Sequence, residues 1–531
     1  MMKLKTIAIL LLLTFSIAGI SQKKDQEQLK KLETFMRYVT LAYVDTVDSE
    51  KLTEDAIKAV LKGLDPHSVY ISKKDLQKMN EPLEGNFEGI GIQFNILHDT
   101  ITVVSPIAGG PSEKLGIRAG DKIVNIDTKL VAGVGFTNKD VADHLRGKKG
   151  TKVTVSIARS GEKELIDFEI TRDKIPIYSM DAAYMATPTT GYIKLNRFAA
   201  QSMDEVGHAI DSLNGIGMQN LILDLRGNGG GYLRTAIQLA DNFLDEGKLI
   251  VYTQGKAFPR EDYSSSKKGN FETGKLVILV DEGSASASEI VTGAVQDWDR
   301  ALVIGRKSFG KGLVQKPFEL SDGSAIRLTI SRYYTPSGRS IQRDYSEGKE
   351  DYYNEINKRY EHGELMNSDS IQFPDSLKFE TLQLKRTVYG GGGIMPDIFI
   401  PLDTTETSTY FSMLVRKGIL YTYNLDYLDI HRKELLAKYP NFDAFNKGFT
   451  LTDEMLEEII AAAEKKDIKR NDAEIAHSKR IIQMNFKALM ATNLWTSTEF
   501  YRVINTNDNA FQKALEVMND KTFKKLKLDY K

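Results

Sequence analysis

Three serines crowd the stretch "GSASASEI": Ser284, Ser286 and Ser288. An apolar run, "LVILV", precedes them, and Ile290, Val291, Ala294, Val295 and Trp298 come after them at helical spacing. Strand, tight turn, helix is the setting in which a hydrolase lifts a serine above the edge of a sheet, with the next backbone N–H turned toward an oxyanion. For Ser286 that N–H belongs to Ala287. The same residues also fit a plain helix start, because Ser286 and Glu289 match the S-x-x-E capping box. A serine nucleophile needs a base. None of the seven histidines lies between the "LVILV" strand and the next core strands, and no G-x-S-x-G occurs. Lys311, in "GRKSFGKGL", is the other candidate base. A lysine accepts a proton only when neutral, a form that burial in an apolar site favours. Gln315, four residues on, would share its face on a strand and orient the amine.

Lys311 also invites a different reading, since Gly305 and "GK" have the spacing of a phosphate-binding loop. That loop needs a hydroxyl after the lysine to ligate Mg²⁺, and Gly312 stands there. It also needs a helix after it, whereas "LVQKPFEL" reads as strand. "DLRGNGGG" (224–231) offers glycines for close backbone approach, and Gly229 or Gly230 fits as a second oxyanion donor. A dinucleotide loop fails there because Tyr232 replaces the third glycine. "GIGIQF" presents consecutive N–H groups at Gly89, Ile90, Gly91 and Ile92, a nest able to take a peptide carboxylate, beside a strand edge over 92–95. An ordinary glycine-rich turn is the alternative.

These residues need elements to hold them. Residues 22–83 read as helical, with "LTEDAIKAVLKGL" ending at Gly63 and "LDPHSVYIS" as a turn. Residues 84–175 are short strands between Gly and Asp turns, with one helix, "TNKDVADHLRG". From 191 to about 312 strands and helices alternate, which predicts a mostly parallel sheet covered by helices and places Lys311, just after the next parallel strand, beside the Ser286 turn, at the C-terminal edge where open α/β sheets carry their sites. Residues 346–380 are charged and weakly patterned and read as a loop or insert. From about 405 the chain is helical.

The length, 531 residues, calls for several domains. A formal net charge of −1 gives no bulk case for nucleic acid or an acidic membrane. With no cysteine, thiol nucleophiles, disulfides and lipid-modified cysteines are excluded. "MMKLKTIAILLLLTFSIAGISQ" has the tripartite pattern of a secretory signal with cleavage after Ser21, and its apolar run is short of the roughly 20 residues of a spanning helix. The alternative is a retained N-terminal anchor, which leaves membrane-peripheral association open.

Taken in order, "LDPHS", "GIGIQF", "PSEKLGIRAGDKIVNID", "LRGKKGTKV", "DLRGNGGG", "GSASASEI", "FGKGLVQ", "YYTPSGRSIQ" and "GGGGIMPD" resemble the carboxyl-terminal processing (tail-specific) proteases over residues 35 to 403. The resemblance implies a multidomain α/β protein: a crotonase/ClpP-like protease core with an inserted PDZ domain, an N-terminal helical segment and a C-terminal helical domain. The corresponding boundaries are 1–21 signal peptide, 22–83 helical region, 84–175 PDZ domain, 176–404 protease core and 405–531 helical domain. It implies a Ser-Lys dyad, carried onto Ser286 and Lys311, with Gln315 as the glutamine four positions after the lysine. An aspartate eleven after the serine, important in some members, falls on Asp297, which also reads as a support for the helix C-terminus. The family's PDZ domain binds substrate C-termini and gates the catalytic site, and Arg146 of "LRG" is its candidate gating residue. No metal or cofactor is expected. The charged 346–380 insert and the tail beyond 405 carry no recognised motif; by analogy the tail would serve oligomerisation or adaptor docking.

The expected function is a periplasmic or secreted serine endopeptidase that captures free apolar C-terminal tails of proteins. The rival is a PDZ-containing periplasmic scaffold with an inactive core; the nucleotide-dependent enzyme is weakened by Gly312.

Overall fold

The computed structural model describes residues 25–266 and 269–528, and these divide into two units. The first takes in residues up to 72 together with Pro317–Leu328. Residues 25–42 are helical, and after them comes the helix Ser49–Lys62, whose start is capped by the Asp48 carboxylate accepting from Lys51 N–H at 3.0 Å. Gly63 ends it, as expected. The "LDPHS" turn is closed by Asp65, which accepts from the N–H of His67 and Ser68. It is shorter than the sequence suggests, because Val69–Ile71 is a strand, antiparallel to Ala325–Arg327. The proposed signal segment, 1–21, lies outside the described residues.

The second unit holds the rest, and its centre is a six-stranded sheet. Met180–Met185, Thr190–Leu195, Asn220–Asp224, Leu276–Val280, Leu302–Gly305 and Ile398–Phe399 lie side by side, all parallel except the first. The strands read as unbroken apolar runs because both faces are covered. Leu221, Leu223, Leu276, Ile278, Val280 and Val303 pack against the helices Ser202–Gly215, Leu233–Asp241 and Ala287–Asp297. The alternate residues, Ile222, Val277, Leu279, Leu302 and Ile304, pack against Phe511, Ala514, Val517 and Met518 of the helix Asn509–Asn519. The tail beyond 405 is therefore not only an appended bundle. Its earlier helices have a core of their own, but a later one closes the outer face of the sheet. Among the described residues no helix is long and apolar enough to cross a membrane.

Two elements differ from expectation. "LIVYTQ", Leu249–Gln254, forms a hairpin with Glu261–Ser264 and pairs with Arg332–Tyr334. The 346–380 insert contains a helix, Lys349–Glu361, that turns Tyr352 and Arg359 inward. The small strand-rich domain forms a sheet ordered with Ile92–Leu97 at one edge, next to Thr100–Pro106, and its core is built on Ile101, Val103, Ile123, Val155 and Ile170. Its helix, Asn138–Leu145, starts with a reciprocal box: Thr137 N–H donates to Asp140 (3.0 Å) and Asp140 N–H to the Thr137 hydroxyl (3.3 Å).

Candidate active site

The strand Leu276–Val280 is buried throughout and ends in a turn that sets the three serines in different roles. Ser284 and Ser288 are wholly buried, and their hydroxyls donate to the carbonyl oxygens of Leu225 and Asn228, each at 2.8 Å. Ser286 is half-buried and adopts φ 54°, ψ −111°, a backbone state that costs a non-glycine residue about 1–3 kcal/mol. The helix Ala287–Asp297 begins at the next residue. All eleven of its residues are buried, rather than the single face its spacing suggests. Glu289 supplies half of the expected capping box, its carboxylate accepting from Ser286 N–H at 2.8 Å.

The next parallel strand, Leu302–Gly305, pairs Gly305 with Val280 and so delivers the lysine loop beside the serine turn. Phe309 N–H donates to the Ser284 carbonyl oxygen at 2.9 Å. The loop is braced from outside by the insert: Arg359 donates to the carbonyl oxygens of Lys307 (2.7 Å) and Ser308 (3.1 Å). Arg343, stacked 3.9 Å from the ring centres of both Phe309 and Tyr352, gives its N–H to Gly310 at 3.0 Å. Gly310 has φ +88°, and a Cβ there would lie 3.0 Å from the backbone of Gly392 and Gly393. Beyond Lys311 the chain runs into a strand, Leu313–Glu319, so the helix N-terminus that a phosphate loop requires is missing.

Glu289 joins the two turns. Its carboxylate is fully buried and accepts from the Ser308 hydroxyl (2.6 Å), Gly310 N–H (2.6 Å), Lys311 N–H (2.9 Å) and Ser286 N–H (2.8 Å). Burial pushes its pKa up to about 7, against the opposing pull of those donors. The sequence pattern marks this residue only as a cap. Tyr333, on the strand Ala325–Tyr334, is a residue of the site that sequence reasoning misses; its buried hydroxyl reaches the carbonyl oxygens of Ser286 (3.1 Å) and Lys311. No local pattern marks it, since it is 22 residues from Lys311 and 47 from Ser286.

The glycine loop arrives from the neighbouring strand, Asn220–Asp224. Gly230, with φ +101°, packs so closely that a Cβ would lie 2.8 Å from that of Ser286 and 2.9 Å from Ala287 N. Its own N–H is committed to Asn228 Oδ1 at 2.9 Å, which leaves Gly229 as the better donor of the two candidates. Around Gly229 an added Cβ would meet nothing within 4 Å. Ala287, first in its helix, carries an N–H without an intrahelical acceptor.

The supporting candidates fall at different distances from this centre. Gln315 Nε2 donates to the Thr329 hydroxyl at 3.4 Å; the strand starts two residues after Lys311, so the alternation invoked for Gln315 does not itself extend to the lysine. Asp297 is buried and paired with Arg339 at 2.7 Å, and accepts from Ser337 N–H at 2.9 Å, so it ties down the "SGRS" loop. Arg146 sits at the C-terminus of the small domain's helix, bonded to Glu81 at 2.6 Å and stacked over Phe87. Gly89 ends one strand and Ile92 begins the edge strand; Gly91 between them has φ +75°.

Comparison with known proteins covers most of the chain. A family model described as "Peptidase family S41" matches residues 189–350, "PDZ domain" matches 89–170, and "Activating protease CtpB N-terminal domain" matches 15–75. A family of unknown function matches 410–496. The carboxy-terminal-processing protease of Bartonella bacilliformis is 37% identical over 340 residues, spanning 63% of this chain and 77% of that protein. The probable CtpA-like serine protease of Staphylococcus aureus (strain N315) is 36% identical over 338 residues, 63% of this chain and 67% of that one. Among solved structures, the photosystem II D1 C-terminal processing protease is 28% identical and covers 71% of this chain and 93% of its own, with a TM-score of 0.36.

Proposed function

The chain belongs to the carboxy-terminal-processing protease family of serine endopeptidases, and from that premise we propose that Ser286 is its nucleophile and Lys311 its general base. One observation carries the assignment. Ser284 and Ser288 spend their hydroxyls on backbone carbonyls, whereas Ser286 is partly open and its turn and the Lys311 loop share one carboxylate.

In this reading neutral Lys311 takes the proton of Ser286 as its oxygen attacks the scissile carbonyl. The N–H groups of Ala287 and Gly229 receive the oxyanion. Lys311 then protonates the departing amine and activates the water that hydrolyses the acyl-enzyme. Gln315 serves as an orienting partner on the Lys311 side, and Asp297 as a support for the "SGRS" loop. The PDZ domain takes the substrate's free C-terminal carboxylate at Gly89–Ile92, and the edge strand Ile92–Leu97 offers its open side for pairing with the peptide. Arg146, held by Glu81, is the gating candidate. The tripartite N-terminal pattern supports action in the periplasm or outside the cell.

The test is hydrolysis, without ATP, of a protein carrying a free apolar C-terminus, beside the same protein amidated. Ser286→Ala and Lys311→Ala should each lower kcat by about 10⁴-fold or more. Amidation should lower cleavage by weakening capture. Hydrolysis that survives Lys311→Ala removes the dyad; indifference to amidation removes carboxylate capture. Acylation should rise with pH as the lysine loses its proton.

A further inference from the structure

We propose that Glu289 and Tyr333 form a two-sided clamp that sets the distance and orientation of Ser286 and Lys311, and that both are positioning residues for the dyad. The inference rests on the dyad reading above.

The two residues of the dyad each have one backbone N–H and one backbone carbonyl, and the clamp touches all four. The single Tyr333 O–H proton is shared between two carbonyl oxygens, of which that of Ser286 also accepts from Glu289 and Ile290 N–H. Glu289 Oε2 accepts both N–H groups, from Ser286 at 2.8 Å and Lys311 at 2.9 Å. The Tyr333 hydroxyl reaches both carbonyl oxygens. One atom thus joins the two residues on the donor side and one atom joins them on the acceptor side. The other carboxylate oxygen, Oε1, extends the hold to Ser308 and Gly310. Both clamping side chains are buried, with Glu289 at 0% and Tyr333 at 1% exposure, so water does not compete for these bonds.

The chain itself creates the need for such a device. Ser286 sits in a strained backbone state and Lys311 between two glycines, so neither backbone is rigid by its own conformational preference. Displacing reacting groups by about 1 Å costs on the order of 10²-fold in rate. Ionised Glu289 presents two oxygens, each with lone pairs for two donors, and it has four. A glutamine offers one oxygen; its NH₂ would face two donors at the other position. A phenylalanine at 333 keeps the ring and loses only the hydroxyl.

The experiment is phosphonofluoridate acylation and peptide hydrolysis by the full-length protein, comparing wild type with Tyr333→Phe, Glu289→Gln, the double variant and Ser286→Ala. Tyr333→Phe should lower the acylation rate and kcat by about ten- to a hundredfold while KM and affinity for a C-terminal peptide hold. Glu289→Gln should lose at least as much, and the double variant little more than Glu289→Gln, as expected of residues acting as one unit. A changed pH profile of acylation in Tyr333→Phe would mark a displaced lysine, which loss of packing alone does not produce. If Glu289→Gln fails to fold, Tyr333→Phe still decides. Wild-type acylation and kcat in Tyr333→Phe, with Ser286→Ala inert, overturns the clamp and leaves the dyad. Labelling and hydrolysis that persist in Ser286→Ala overturn the dyad and the clamp with it.

Discussion

Asp224 and Glu289 are both buried carboxylates at the C-terminal edge of the same sheet, and they meet burial in opposite ways. Asp224 is surrounded by charge: Arg226 grips it at 2.6 Å, Lys194 lies at 3.3 Å and the Tyr192 hydroxyl at 2.8 Å. Burial alone would raise its pKa, but the charges of Arg226 and Lys194 outweigh burial and hold it well below the usual carboxylate range. Glu289 receives only uncharged donors, one hydroxyl and three backbone N–H groups, and burial wins. Asp224 is thereby a fixed charge that anchors a strand end. Arg226 passes the hold on to Asp508 at 2.7 Å. Glu289 is a carboxylate that gives up its proton only near pH 7, where the Ser286 and Lys311 turns meet. A buried acid beside a catalytic centre is informative when its partners carry no charge, because structural pairs are built the other way.

The contrast breaks most visibly on Asp224→Asn, which leaves the buried Lys194 without its counter-charge and Arg226 with only Asp508. It should cost about 3–5 kcal/mol in urea unfolding, with the folded fraction still acylating normally. A stability loss under about 1 kcal/mol would deny the anchor.

The pH dependence should separate the two by sign. Asp224, with a depressed folded pKa, contributes stability that is present above its unfolded value near 3.9 and is lost as pH falls below it. Glu289, raised from about 4.3 to about 7, contributes most below its unfolded value, and stability declines as pH rises through 7, on the order of 3 kcal/mol in all. Unfolding free energies measured at about pH 4.5 and 7.5 for wild type and Glu289→Gln check this; an equal decline in both proteins assigns it to another group.

Glu289→Gln should cost less than Asp224→Asn, about 1–2 kcal/mol, because it strands neutral donors and no buried charge. The reverse ranking by thermal melting would remove the distinction. The smallest effect is expected at Ser286→Gly, which abolishes acylation yet gains about 1 kcal/mol by relieving the turn. A destabilised glycine variant would mean that the positive φ carries no strain.

How much of this is legible in sequence depends on the reach of each contact. The parallel sheet is readable from alternating apolar runs, and the serine and lysine turns from their places after neighbouring strands. Glu289 is legible as a cap because its Ser286 bond spans three residues; its bonds to Gly310 and Lys311 span 21 and 22 and leave no local trace. Gly230 shows the same limit. Its glycine points to a close backbone approach, but the Asn228 side chain that takes its N–H cannot be separated in sequence from any other polar residue of the loop. The insert helix is hidden because its inward face is Tyr352 and Arg359 rather than aliphatic residues.

The helix Asn509–Asn519 closes one face of the sheet that carries both turns, and it is translated long after Ser286 and Lys311. A nascent or interrupted chain therefore holds Ser286 and Lys311 in its sequence while Ile222, Val277, Leu279, Leu302 and Ile304 stand uncovered. We expect proteolytic competence to arrive late in synthesis for this reason, so that fragments from abandoned translation carry no stray protease. Chains ending at Asp508 should then show only background phosphonofluoridate labelling, and full labelling of such chains would end the idea.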